Sequence, residues 1–213
     1  MVKRKKSYIK KINQLDTLSV HAGVKTDPLT GAVMTPIYAT STYAHDRPGE
    51  HKGYEYSRSQ NPTREVLENS IAELESGYKA FAFASGVAAQ TAVLDLLKPG
   101  DHVIAFDDLY GGTFRLFNEI KSKSSNIEFS FVDLNTNFSK EIKKNTKMIW
   151  IETPTNPLLK ITDLKRIARI ARKNKLITVC DNTFATPYNQ RPLEHGIDIV
   201  NHSTTKYING HSD

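Results

Sequence analysis

From residue 61 onward, apolar positions recur with two alternating periods. Asn61-Pro62 opens a helix, with an N-cap residue followed by proline at the first helical position, and Leu67, Ile71 and Leu74 fall on one of its faces. Gly77 is placed for its C-terminal cap. A strand-like stretch is expected at 80–84, a turn at Ser85-Gly86, and a helix over 87–97 that Pro99-Gly100 stops. Strands follow at 102–106, 127–132, 148–151, 176–179 and 197–200, with helices predicted over 113–121 and after Thr162-Asp163. In the latter helix Leu164, Ile167, Ala168 and Ala171 share a face. Strands alternating with helices at this spacing predict an α/β fold, a mostly parallel sheet with helices on both faces. Residues 13–61 lack such periodicity. Pro and Gly punctuate them, and Tyr38, Tyr43, Tyr54 and Tyr56 recur, which suits an arm wrapped on its own surface or a partner subunit's.

Charge adds one feature. The chain has 29 Lys and Arg against 23 Asp and Glu, and Lys3, Arg4, Lys5, Lys6, Lys10 and Lys11 account for the whole excess. A basic, disordered tail is therefore expected over 1–12 on a body of balanced charge. A nucleic-acid role would need a basic stripe with interleaved aromatics on that body, and none is present. No apolar run is long enough to span a bilayer, and the basic start leads into no apolar secretory segment. The single cysteine, Cys180, excludes an internal disulfide framework, suits a cytoplasmic setting, and reads as a buried inert thiol.

The residues just after the strands carry the chemistry. Ser85-Gly86-Val87 begins a helix, so free N–H groups and the positive end of a helix dipole offer an anion seat. It lacks both G-x-G-x-x-G and the P-loop pattern, which favours a lone phosphate. Tyr110, on a glycine-rich turn, can stack on a planar ring or simply cover the sheet edge. Asn156 offers an amide, and Asp181, behind an apolar run, needs a cationic partner. Lys206 follows the last strand between hydroxyls, beside Ser203 and Thr205. Such a lysine can hold a phosphate or react with a carbonyl, although an exposed loop lysine is the commoner use. A phosphate seat, a stacking aromatic, a carboxylate for a ring nitrogen and a lysine for an aldehyde together describe pyridoxal 5′-phosphate.

These motifs resemble the trans-sulfuration (Cys/Met metabolism) pyridoxal-phosphate enzymes of the aspartate-aminotransferase-like fold, fold type I. The matching stretches are Tyr54-Glu55-Tyr56-Ser57-Arg58, Ala84-Ser85-Gly86-Val87-Ala88, Asp108-Leu109-Tyr110-Gly111-Gly112-Thr113, Glu152-Thr153-Pro154-Thr155-Asn156-Pro157, Asp181-Asn182-Thr183-Phe184 and Ser203-Thr204-Thr205-Lys206-Tyr207. The resemblance implies Lys206 as the lysine that carries the cofactor aldehyde, Asp181 as the partner of the ring nitrogen, and Tyr110 on the ring, these three being the catalytic residues. Asn156 would lie near the phenolic oxygen, and Gly86, Val87, Ser203 and Thr205 would hold the phosphate. Tyr56 and Arg58 would reach the phosphate of a neighbouring subunit in a homotetramer built as a dimer of dimers. No metal is implied.

The resemblance places the domains at 1–12 (tail), 13–61 (arm) and 62–213 (an incomplete pyridoxal-phosphate domain). Family members continue into a C-terminal domain with the arginine that binds the substrate carboxylate. On that comparison the chain is expected to be truncated and inactive by itself. The expected substrate is a small sulfur amino acid. The Tyr110-Gly111-Gly112-Thr113 turn resembles cystathionine γ-lyase and γ-synthase, whereas methionine γ-lyases typically carry cysteine at the position of Gly112. The alternative is a non-catalytic remnant that keeps part of a cofactor site or a dimer surface.

Overall fold

The computed structural model describes residues 15–210. The basic tail expected at 1–12 lies outside the described residues. The chain divides into two compact units, one up to Ala82 and one from Phe83 on.

The first unit holds α1 (Leu15–His21) and α2 (Pro62–Leu74) joined by a long irregular stretch. Asn61 caps α2 as predicted, its side chain accepting the Thr63 N–H at 2.9 Å. Hydrogen bonds from α2 then pin the irregular stretch. The Thr63 hydroxyl donates to Pro36 O (3.0 Å) and accepts from Tyr38 N–H (2.9 Å), while Asn61 Nδ2 donates to Tyr38 O (3.1 Å). Gly23 has a φ of +71°, and a Cβ there would lie 2.6 Å from Ser70 N, so only glycine allows this approach to α2. At the far end of α2 the left-handed residue is Ser76 (φ +57°), and the Gly77 N–H closes onto Ala72 O at 2.7 Å. The expected cap glycine therefore sits one position beyond the left-handed turn. Along the irregular stretch Leu29, Val33, Met34 and Ile37 remain exposed.

The second unit is the parallel sheet that the alternating pattern predicts. Its elements run α3 (Gly86–Leu94), β1 (His102–Phe106), α4 (Gly111–Arg115), a π-helical stretch Leu116–Lys121, α5 (Ser122–Ser124), β2 (Glu128–Val132), β3 (Thr146–Glu152), α6 (Leu164–Lys173), β4 (Ile177–Asp181), α7 (Thr186–Asn189) and β5 (Ile199–Asn201). All strand pairs are parallel, in the order β2-β1-β3-β4-β5. The chain leaves β1 in one direction toward β2 and returns on its other side to β3. With right-handed crossovers, that reversal puts the connecting helices on opposite faces. Burial agrees: all five residues of β1 are buried, and so is all of β3 except Lys147. The face predicted for α6 is the one that packs, with Leu164, Ile167, Ala168 and Ala171 all buried. Phe117, on the π-helical stretch, meets Trp150 edge-on at 5.1 Å and stacks on Phe129 at 4.8 Å. His102 is fully buried, bonded to Thr146 (2.8 Å) and Ser130 (2.9 Å) on the two flanking strands. Burial lowers its pKa, so it serves as a neutral link between strands.

One expected element is missing. Residues 80–84 form no strand; Phe81 and Phe83 are exposed, and the Ala82 N–H donates to the Glu68 carboxylate at 3.0 Å. The alternation is present, but no described residue offers this stretch a ladder to join, and a side chain takes one of its N–H groups instead.

Candidate active site

The reversal between β1 and β3 opens a crevice at the carboxyl ends of the strands, where open α/β sheets bind ligands. A cleft of about 550 Å³ lies there, lined by Tyr110, Asn156, Phe184, Thr205, Lys206, Tyr207 and Gly210. That volume suits a cofactor-sized molecule. Four of the predicted residues, Tyr110, Asn156, Thr205 and Lys206, therefore share one cavity.

Each turn around the cleft is held by an identifiable contact. Tyr110 precedes α4, and its ring lies over Gly112, where an added Cβ would come within 2.3 Å of Tyr110 Cε1. Glycine is thus required for the ring's present position. Two acids, which the sequence reading gave no role, tie this turn to that of Asn156. Asp108, after β1, accepts the Thr155 hydroxyl and the Leu158 N–H (3.0 Å) from the turn after β3. Glu152, at the end of β3, accepts the Tyr110 N–H (3.0 Å) from the turn after β1. The two turns therefore exchange acid-to-backbone bonds.

At the start of α3, Ser85 Oγ accepts the Ala88 N–H (3.1 Å) and Ser85 O accepts the Ala89 N–H (3.0 Å). The Gly86 and Val87 N–H groups are left outside the helix's own bonds, as an anion seat requires. Gly86 lies against the end of β5: a Cβ there would sit 3.1 Å from Ser203 Cβ. Gly86 and Ser203 are thus adjacent in space although far apart in sequence. Lys206 is exposed, on a turn closed by Lys206 N–H to Ser203 O (3.4 Å) and Gly210 N–H to Lys206 O (2.7 Å).

Asp181 is buried at the end of β4. Its Oδ1 accepts the Thr183 N–H (3.0 Å), and its Oδ2 accepts from Asn201 Nδ2 (3.0 Å) and Gln90 Nε2 (3.3 Å). An ionised carboxylate has about four acceptor sites, so three donors leave room for one cationic N–H. That fits a protonated ring nitrogen. The Thr183 hydroxyl in turn accepts the Ser203 N–H (2.9 Å), connecting the carboxylate to the Gly86 side of the cleft. Asp108, Glu152, Gln90 and Asn201 complete the site. Their shared signal in sequence is a polar residue inside or ending an apolar run.

Tyr56 and Arg58 belong to the first unit, where the Arg58 guanidinium stacks on the Tyr56 ring at 4.8 Å. The cleft lining comes entirely from the second unit. Cys180 is buried, its thiol donating to Asp181 O at 3.7 Å, and it has no place in the lining. Among the described residues no cluster of His, Cys, Asp and Glu is arranged to hold a metal ion, and no helix is long and apolar enough to cross a membrane.

The family described as Cys/Met metabolism PLP-dependent enzyme matches residues 16–213. The chain is 58% identical over 205 residues to cystathionine beta-lyase of Coxiella burnetii, covering 95% of this chain and 53% of that protein. It is 52% identical to a probable cystathionine gamma-synthase of Herpetosiphon aurantiacus, covering 92% of this chain and 62% of that one. Its fold superposes with a TM-score of 0.90, at 46% identity, on the crystal structure of cystathionine gamma-lyase from Lactobacillus plantarum complexed with L-serine, covering 94% of this chain and 52% of that one. The chain thus spans a little over half the length of these relatives.

Glu152 gives this geometry a measurable consequence. Burial, followed by the charges of Asp181 and Asp108, pushes its carboxyl up to about 8, against the opposing Tyr110 N–H bond. Below its ordinary value of 4.5 the group is protonated folded or unfolded, and it makes stability neither rise nor fall with pH. Between 4.5 and about 8 the unfolded chain has released a proton that the folded one keeps, so Glu152 costs increasing stability as pH rises, and the cost is complete above about 8. Glu152→Gln should therefore stabilise the cofactor-free protein by a margin that grows through this window in denaturant melts. A margin independent of pH would contradict the assignment.

Proposed function

The chain belongs to the Cys/Met metabolism PLP-dependent enzyme family, and from that premise we propose that it carries the cofactor half of a trans-sulfuration enzyme acting on C–S or C–O bonds of a small amino acid. The observation that carries this reading is the single cleft in which Tyr110, Asn156, Thr205 and Lys206 meet at the strand ends. Pyridoxal phosphate, when bound, supplies an aldehyde and a ring that takes up carbanion charge. The chain's own residues have distinct tasks. Asp181, with one acceptor site to spare, keeps the ring nitrogen protonated. The Gly86 and Val87 N–H groups and the Ser203 and Thr205 hydroxyls bind the phosphate, Tyr110 covers the ring, and Asn156 bonds its phenolic oxygen. Lys206 Nζ would hold the aldehyde, and its amine is placed to move protons among the α, β and γ carbons of the substrate.

Our first choice of reaction is γ-elimination from cystathionine or γ-replacement on an O-acylhomoserine. The turn at Tyr110 resembles that of enzymes with these activities. It argues against a methionine γ-lyase, which typically carries cysteine at the position of Gly112, since Gly112 lies too close beneath the ring to carry even a Cβ. A second reading, β-elimination, is favoured by the 58% identity to a protein named cystathionine beta-lyase. The products separate them, since each cleavage takes up one water and releases ammonia. Cystathionine cut at the γ carbon yields cysteine and 2-oxobutyrate; cut at the β carbon it yields homocysteine and pyruvate. In a full-length context with cofactor added, since the chain spans little more than half of its relatives, we expect 2-oxobutyrate. Pyruvate with homocysteine would replace the first reading by the second.

Arg58 and Tyr56 are proposed to serve a neighbouring subunit's phosphate, a role supported by the exposed apolar residues of their irregular stretch. In a full-length context, hybrids of an Arg58→Ala and a Lys206→Ala subunit should regain part of the activity that each variant lacks, because one of their sites holds both groups. Proven hybrids without any recovery would remove this role.

A further inference from the structure

Glu152 and Asp181 are register partners at the ends of the adjacent parallel strands β3 and β4, and both are buried. Two buried carboxylates this close do not both ionise readily, so something must decide which of them carries the charge. The donors around them are unequal. Glu152 receives no side-chain donor among the described residues, only backbone N–H groups from the turns at Tyr110 and Asn156. Asp181 receives two primary amides as well as its backbone N–H: Gln90 from α3 and Asn201 from β5. The negative charge of Asp108 also acts on Glu152.

The amides are poorly explained by folding alone. Asn201 is buried on a three-residue strand; its Nδ2 bonds Asp181, yet its Oδ1 has no hydrogen-bond partner among the described residues. A buried acceptor left unpaired destabilises, and an apolar side chain of the same shape would avoid that loss. Gln90 is buried in α3, where its Oε1 accepts the Thr113 hydroxyl (3.1 Å), which turns Nε2 toward Asp181 (3.3 Å). Both side chains are therefore oriented to donate to one carboxylate and not to its neighbour.

We propose that Gln90 and Asn201 are positioning residues that fix the negative charge of the Glu152–Asp181 pair on Asp181, and so set how fully the cofactor's ring nitrogen is protonated. This rests on the reading of Asp181 given above. Hydrogen bonds to the charged form of a carboxylate stabilise that form. Removing a donor takes away one hydrogen bond that holds the anionic form, so the hydrogen shared with the ring nitrogen is held less fully on the ring.

The test uses the full chain loaded with pyridoxal phosphate carrying 15N in the ring, read by NMR together with thermal melts. Asn201→Leu, close in shape, should shift the ring-nitrogen signal toward the unprotonated value while leaving Tm unchanged or raised. Gln90→Met, on a different element, should shift it in the same direction and decides the matter if Asn201→Leu fails to fold. Signals in both variants identical to the parent's would overturn the proposal while leaving the cofactor reading intact. A shift accompanied by a matching fall in Tm would make these residues structural and overturn it as well. A parent chain whose Asp181→Ala variant keeps a normal ring-nitrogen signal would remove the reading of Asp181, and this inference with it.

Discussion

Two carboxylates ending neighbouring parallel strands, Glu152 and Asp181, set the terms for the rest of the cleft. Parallel strands deliver their last residues to the same rim, and here two adjacent strands deliver an acid each into a place with little water. Both charges together would be expensive. The arrangement separates them in kind: Glu152 is pushed toward its neutral form by burial, while Asp181 is surrounded by donors that favour charge. One fixed anion at the rim is what a cationic ring nitrogen needs.

The same economy of contacts shapes the turns. Asp108 bonds the turn after β3, and Glu152 bonds the turn after β1, so Tyr110 and Asn156 are held relative to each other and not merely to the sheet. On the other side, Thr183 links Asp181 to Ser203, and Gly86 allows α3 to approach Ser203 closely. The turns after β1 and β3 are therefore coupled to each other, and so are those after β4 and β5, through short side chains. A change at one turn is felt by its partner.

Much of this was legible in the sequence, for physical reasons that differ by element. The strands β1, β3 and β4 were found to within two residues because apolar runs buried on both faces leave little ambiguity, and the edge strand β2 because its apolar residues alternate with polar ones. The helix face of α6 followed directly from its spacing. Residues 80–84 were misread because alternation reports which side chains want burial, while a strand also needs a backbone neighbour. That Tyr110, Asn156, Thr205 and Lys206 come to line one cleft could be read because they follow strands, whose ends share one rim. Gln90 and Asn201 were not, since both lie inside regular elements and look there like interruptions of an apolar pattern. Their meaning depends on which carboxylate they face, and that is fixed only by the pairing of β4 with β5 and the placement of α3.

The most direct test of the account is chemical. If the rim assembled by these turns is the cofactor site, borohydride reduction of the protein loaded with pyridoxal phosphate, followed by peptide mapping, should place the reduced cofactor on Lys206. That lysine is the one in the cleft lining. Stoichiometric modification of any other lysine would contradict the account.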